Sequence, residues 1–139
     1  MISIQKPEDL ISVSLYNIFS FRKTDSEFYD LVSNWNKKIV LYVKPFYELT
    51  IIFEDDSIKF QIGSTDKYHL KFIIELQTFL DLAYGRIGLV SAVASGKLKI
   101  KKKYKLGTLL RFYKIFFNSL DKVVSNPVNN YYELKTDSR

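Results

Sequence analysis

The chain has 139 residues, 47% of them hydrophobic and 16% aromatic, with a net charge of +6 and no cysteine. This composition excludes a mainly disordered chain, a disulfide framework, a thiolate nucleophile and a zinc–sulfur site. It contains no apolar run of about eighteen residues, so no membrane-spanning helix is predicted.

Two helices are predicted at the N-terminus. The motif Lys6-Pro7-Glu8-Asp9 is typical of a helix start, since proline suits the first turn and the helix dipole favours acids there; this helix should run to about Phe19. Thr24-Asp25-Ser26-Glu27 is a capping box that opens a second helix. Glu8 and Asp9 stand where a signal peptide needs its apolar stretch, so we predict no export signal and a cytoplasmic location.

The middle of the chain changes to the period of β-strands. Apolar residues alternate with other residues in four stretches, at 39–43, 49–53, 58–62 and 70–76, which predicts four strands with one apolar face each. Asp and Ser side chains bond their own backbone in turns, so residues 54–57 are predicted to form a tight hairpin.

The C-terminal third returns to helical patterns. We predict two short helices at 78–84 and 87–94 separated by Gly85, a fifth strand through Leu98 and Ile100, and a last helix at 108–120. Strands grouped together and helices kept apart predict an α+β fold. We expect one domain over residues 1–139, with a helical extension at 1–24 and a mobile polar tail at 123–139.

The positive charge is concentrated in one segment. Residues 97–114 contain eight basic and no acidic residues, and the remaining chain has 13 basic against 15 acidic residues. Lysines that alternate with Leu98 and Ile100 are typical of the solvent face of an edge strand. Binding of nucleic acid phosphates or of an anionic membrane surface by the same lysines remains open.

The side chains give little support for catalysis. His69 is the only histidine of the chain, and alternation places it on the outer face of its strand, so neither a Cys–His pair nor a Ser–His triad is expected. The carboxylates Asp55 and Asp56 are explained by the predicted hairpin. We therefore predict a protein that is not an enzyme, with no catalytic residue, no metal site and no cofactor.

One stretch resembles the signature of the sterol carrier protein (type two) family. That family has a short helix ending in Leu-Ala-x-Gly-Lys/Arg, a second short helix with an alanine, and a Gly-Lys-Leu-Lys-Ile strand. Leu82-Ala83-Tyr84-Gly85-Arg86, Ala92 and Gly96-Lys97-Leu98-Lys99-Ile100 are similar to these parts. The chain departs from the pattern at Lys102-Lys103, where the family often has Gly-Asp or Gly-Asn, and at Gly88-Leu89, where it usually has proline.

The resemblance implies a five-stranded, mostly antiparallel sheet covered on one face by about five helices, enclosing an apolar tunnel for a sterol, fatty acid or acyl-CoA. The residues expected to line this tunnel are Ile51, Phe60, Phe72, Ile74, Phe79, Leu82, Leu89, Val93, Leu109, Phe112 and Phe116. A lipid head group or an anionic surface would meet the lysines Lys101, Lys102, Lys103 and Lys105. Two alternatives remain: a non-catalytic dimerisation or docking module with a filled core, which includes a homodimer, and nucleic-acid binding through residues 97–114.

Overall fold

The computed structural model describes residues 2–102 and 105–125. These residues form six strands and five helices in the chain order β1 (Ser3–Ile4), α1 (Leu10–Ser20), α2 (Ser26–Val32), β2 (Lys37–Lys44), β3 (Tyr47–Glu54), β4 (Ser57–Ile62), β5 (Leu70–Glu75), α3 (Leu76–Ala83), α4 (Leu89–Ala94), β6 (Leu98–Lys101) and α5 (Leu106–Ser125). The α+β fold is confirmed. Within the described ranges, no helix is both long enough and apolar enough to cross a bilayer.

The six strands form one mixed sheet in the order β1-β4-β3-β2-β5-β6. Strands β2, β3 and β4 make antiparallel pairs, as do β5 and β6, but β2 runs parallel to β5 and β1 runs parallel to β4. The prediction of five strands is therefore wrong, and the sheet is mixed, with three antiparallel and two parallel pairs. Periodicity identifies a strand and its apolar face but not its neighbour, and a strand of two residues carries no periodic signal.

The N-terminus differs from the predicted helix start. The Ser3 N–H donates to the Asp56 carbonyl at 2.7 Å, which attaches β1 to the edge of β4. Helix α1 begins only at Leu10, because Asp9 has an extended backbone and its side chain accepts a hydrogen bond from the Ser12 N–H. Asp9 is thus the N-cap of this helix rather than part of its first turn.

The hairpin between β3 and β4 is confirmed. Glu54 pairs with Ser57, and Asp55 takes a left-handed φ of 54° in the turn between them. At the other end of the chain, α5 extends to Ser125, beyond the predicted end of the last helix. The first three residues of the predicted mobile tail therefore belong to α5, and residues 126–139 lie outside the described residues.

The core lies between one face of the sheet and the helices. Alternate residues of the strands, such as Ile39, Leu41 and Val43 of β2, belong to a single buried cluster with residues of all five helices. The intervening strand residues form the opposite face, and among those described none belongs to this cluster. The sheet thus has a helix-covered face and a helix-free face, and the apolar ligand predicted from the sequence would have to lie on the covered one.

Candidate functional site

The candidate site is the apolar interior between the sheet and α3 and α5. It contains an enclosed cavity of about 10 Å³, close to the minimum volume for one water molecule. Its walls come from β2, β3, β5, β6, α3 and α5, and the lining residues are Leu41, Ile51, Phe72, Ile74, Phe79, Leu82, Leu98, Phe112, Phe116, Phe117 and Leu120. Aliphatic and aromatic side chains therefore fill the interior.

Phenylalanine rings fill much of the interior in which the tunnel was expected. The Phe72 ring lies 5.2 Å from that of Phe112 and 6.3 Å from that of Phe117, measured between centroids. Phe116 contacts Phe112 at 5.6 Å and Phe117 at 4.8 Å. Such ring pairs each contribute about 0.5–1.5 kcal/mol beyond their buried area, so the closed arrangement is a stabilised one.

Seven of the residues predicted to line a tunnel line this cavity: Ile51, Phe72, Ile74, Phe79, Leu82, Phe112 and Phe116. Phe60 and Leu109 pack against the core from partly buried positions, and Val93 is 41% exposed. These three belong to neither the cavity nor the cleft described next.

A cleft of about 360 Å³ opens the same region to the surface. It lies between α5 and the connection from α3 to α4, and Leu89, also predicted as a lining residue, forms part of its wall. Leu82, Phe117 and Leu120 line both the cleft and the enclosed cavity. The cleft and the cavity are therefore adjacent and share part of their walls.

Sequence reasoning missed four residues of the cavity wall. Leu41 and Leu98 lie on the apolar faces of predicted strands, and Phe117 and Leu120 lie on the predicted last helix. The signal for all four was present in the same periodic patterns. Periodicity does not show how far each side chain reaches across the core, so it did not separate them from other core residues.

Two glycines follow the short helices beside the cleft, and one of them, Gly85, lines it. Gly85 and Gly96 have φ values of 72° and 77°, in the region that side chains with a Cβ avoid. Gly85 follows α3 and Gly96 follows α4, so each lets the chain reverse directly after a helix, as predicted. At Lys102, where the sequence departs from the family pattern, a lysine adopts a φ of 63°.

Of the lysines predicted to meet a head group, the three that are described line neither the cavity nor the cleft. Lys101 pairs with Lys71 on the helix-free face of the sheet, away from the cavity. Lys102 donates a hydrogen bond from Nζ to the Tyr68 carbonyl at 2.9 Å and lies 4.3 Å from the centre of the Tyr68 ring. Lys105 immediately precedes α5, and Lys103 lies outside the described residues.

A buried arginine, which sequence reasoning missed, holds α5 against the segment between α1 and α2. Arg22 is 1% exposed, and it donates from Nη1 to the Lys114 carbonyl at 3.0 Å and from Nε to Asp25 at 3.1 Å. Lys122 of α5 also donates to Asp25, at 3.1 Å. Burial acts to raise the pKa of Asp25, but hydrogen bonds from Lys122, the Glu27 backbone N–H and Arg22 outweigh it and lower the pKa from 3.8 to about 2.

His69 has a structural position. It is half-buried, and its Nδ1 accepts a hydrogen bond from the Lys38 N–H at 3.1 Å. Burial, followed by the charges of Lys37, Lys105 and Lys102, lowers the pKa of His69. The imidazole therefore joins the start of β2 to the residue that precedes β5.

Solved structures share the fold of this chain at low sequence identity. The chain superposes with a TM-score of 0.55 on a structure titled "UbiJ-SCP2 Ubiquinone synthesis protein", at 17% identity over 76% of this chain and 90% of that one. It matches the sterol carrier protein domain 2 of Helicoverpa armigera with a TM-score of 0.52, at 21% identity over 81% and 94% of the two chains. At these identities the likeness shows the fold alone.

The fold also occurs as a small part of a longer chain. The inverting sec-alkylsulfatase Pisa1 from Pseudomonas sp. matches with a TM-score of 0.50, at 16% identity over 64% of this chain and only 13% of the sulfatase. Among curated proteins, no sequence matches the chain.

A family model supplies the sequence evidence. The model described as the SCP-2 sterol transfer family matches residues 18–112. This range begins within α1, ends within α5 and includes the resemblance motif at residues 82–100. Because the match spans more than half of its length, the chain belongs to the SCP-2 sterol transfer family.

Proposed function

We propose that the chain binds an apolar ligand of the sterol, fatty acid or acyl-CoA type in the interior between the sheet and α5, and transfers it between membranes. The observation that carries this proposal is the common wall of the cleft and the cavity, made by Leu82, Phe117 and Leu120. These apolar side chains connect the surface with the covered face of the sheet. Burial of ligand surface there would contribute about 25 cal/mol per Å².

The closed interior has to open for such a ligand. A cavity of about 10 Å³ is far below the roughly 300–1,000 Å³ typical of ligand sites. Helix α4 is suited to move, since it has only six residues and Ala92 is the buried residue among them. Elements with few buried contacts open at a low free-energy cost. Displacement of α4 together with rotation of the Phe117 ring would join the cleft to the cavity.

The test is binding of a fluorescent fatty acid in buffer, combined with native mass spectrometry of protein purified without detergent. The wild type should bind one probe, or retain a lipid through purification. Leu89→Trp, which fills the cleft, should slow probe entry at least severalfold. Leu31→Trp is the matched control, because Leu31 is also partly buried against the core but lies on α2.

Two outcomes would contradict the proposal. One is a wild type that neither retains a lipid nor binds the probe. The other is an equal slowing of entry by Leu89→Trp and Leu31→Trp, which would mean that the probe does not enter through the cleft.

A docking module with a filled core is the second candidate. Two observations favour it: the closed interior, and the occurrence of the fold as 13% of the sulfatase chain. Such a module would bind no apolar probe and would associate with itself or with a larger enzyme. Light scattering at increasing protein concentration, combined with the probe titration, distinguishes the two functions.

A further inference from the structure

The surface beside the cleft is unusually apolar. Ten large hydrophobic side chains are exposed in the described part of the chain, and five of them lie on α4 and the first half of α5. We call these five the docking face: Val90, Val93, Leu106, Leu110 and Tyr113. Single exposed apolar residues are common, but a concentration of this kind indicates an interaction surface.

The docking face is continuous with the mouth of the cleft. Leu106, Leu110 and Tyr113 follow each other at spacings of four and three residues, so they form one stripe along α5. The stripe ends in the cleft, since Tyr113 lines its wall. On α4, Val93 lies one turn after Leu89, which also lines the cleft. A partner on this face would therefore cover the mouth.

The segment that carries the docking face is basic, and Asp81, just before it, is paired with Arg86 at 3.0 Å. Residues 82–120, which contain α4, β6 and most of α5, include nine basic and no acidic residues. Lys97, directly after α4, and Lys114, one residue after Tyr113, are both exposed. The face therefore combines protruding aliphatic side chains with a cationic border, and no carboxylate from this segment opposes an anionic partner.

We propose that the docking face binds an anionic lipid bilayer, with the mouth of the cleft against the membrane. This inference rests on the proposed function, because a lipid that enters through the cleft would then pass directly from the bilayer into the interior. Aliphatic side chains insert at the boundary of head groups and acyl chains, and lysines lie at the level of the anionic phosphates. A second copy of the chain fits less well, since its docking face would bring the same lysines, Lys97 and Lys114, against those of the first.

Exposed side chains permit variants that leave the fold intact. Val90 and Leu110 are 82% and 60% exposed, so Val90→Ser with Leu110→Ser should lower membrane affinity while the protein stays folded. The matched control is Leu10→Ser with Ile62→Ser, because these residues are 75% and 62% exposed but lie on α1 and β4.

The charge variant pairs Lys97→Gln with Lys114→Gln. Its control, Lys59→Gln with Lys67→Gln, removes two exposed lysines that lie outside residues 82–120.

The measurement is co-sedimentation with vesicles of phosphatidylcholine alone and with 30% phosphatidylglycerol, at low and at physiological salt. We expect the wild type to bind the anionic vesicles. The serine pair should lower the affinity about tenfold, and the glutamine pair should lower it about fivefold per lysine at low salt. Both control pairs should stay within about twofold of the wild type.

Several results would overturn the inference: equal binding to both vesicle types, an equal loss in the control pairs, or a wild type that does not bind vesicles but forms a dimer that Leu110→Ser dissociates. Binding of a DNA oligonucleotide in place of vesicles would also overturn it. The fatty-acid titration in vesicle-free buffer separates this inference from the proposed function. Vesicle binding without probe binding contradicts only the proposed function, and probe binding without vesicle binding contradicts only the docking face.

Discussion

Replacement of Phe72 by alanine tests whether the interior is as closely packed as the structure shows. Phe72 is 3% exposed. A phenyl side chain buries at least about 150 Å², which at ~25 cal/mol per Å² corresponds to about 4 kcal/mol of the free energy of unfolding. This value agrees with the roughly 3–5 kcal/mol typical of Phe→Ala in a core. For a chain of this length we expect a melting temperature lower by about 10–20 °C.

The same variant also reports on the ligand site. Loss of the ring enlarges the cavity beside Phe112 and Phe117, so Phe72→Ala should bind a fluorescent fatty acid with altered affinity. At a free probe concentration a hundredfold above its Kd, about 2.7 kcal/mol of stability should return.

Phe28→Ala is the control, because Phe28 is fully buried and packs on Phe19, outside the cavity wall. Phe28→Ala should lower the melting temperature to a similar degree and leave the affinity for the probe unchanged. If the free energy of unfolding of Phe72→Ala instead lies within about 1 kcal/mol of the wild-type value, the interior is not closely packed around this ring.

Three further predictions concern backbone and charge. Gly96→Val should destabilise the fold by about 1–2 kcal/mol, because Gly96 has a φ of 77°; Gly88→Ala, at a φ of −87°, should stay within about 0.5 kcal/mol in the same chemical denaturation. Lys99→Gln with Lys101→Gln should leave the melting temperature unchanged, since both side chains are exposed, and a loss of fold would show that they are structural. Asp25 has a folded pKa of about 2, below its ordinary 3.8, so its charge contributes stability above pH 4 that is lost as the pH falls to 2. Asp25→Asn should therefore have a lower melting temperature than the wild type at pH 7 and should lose less stability between pH 4 and pH 2. Parallel plots of melting temperature against pH for the two proteins would contradict this.

The long central strands and the glycine turns could be predicted from sequence, and for a physical reason. Strands β2, β3 and β5 bury one face, and the other face is solvated or half-buried except at Val40 and Thr50. This difference between the faces imposes a period of two on their residues. Gly85 and Gly96 take backbone conformations that other residues reach only with strain, so their positions after short helices already indicated the turns.

The arrangement of the sheet and the volume of the interior could not be predicted in this way. The alternation in β5 is the same whether β2 or β4 is its neighbour, and the observed partner is β2, in parallel. Similarly, the spacing of Phe112 and Phe116 places both on the covered side of α5 but does not state how closely their rings approach Phe72. The distance between two packed layers depends on every side chain between them.

Lys102 shows how one contact can replace a preferred residue type. It holds a φ of 63°, which a residue with a Cβ adopts at a cost of roughly 1–2 kcal/mol. Its ammonium group hydrogen-bonds the Tyr68 carbonyl and lies over the Tyr68 ring. Such contacts act in the opposite direction to the backbone strain. Sequence alone identified the departure from the family pattern but not this compensation.

The N-terminal segment has a consequence for the behaviour of the protein in concentrated solution. The Gln5 N–H donates to the Ile58 carbonyl at 2.8 Å, and the Gln5 side chain accepts from the Phe60 N–H at 2.7 Å. These bonds occupy the outer edge of β4, a strand whose hydrogen-bonding groups would otherwise be a template for a strand from another molecule. Shortening the chain by its first five residues would expose this edge and favour aggregation through intermolecular β-pairing, even where the helices and the apolar interior stay intact.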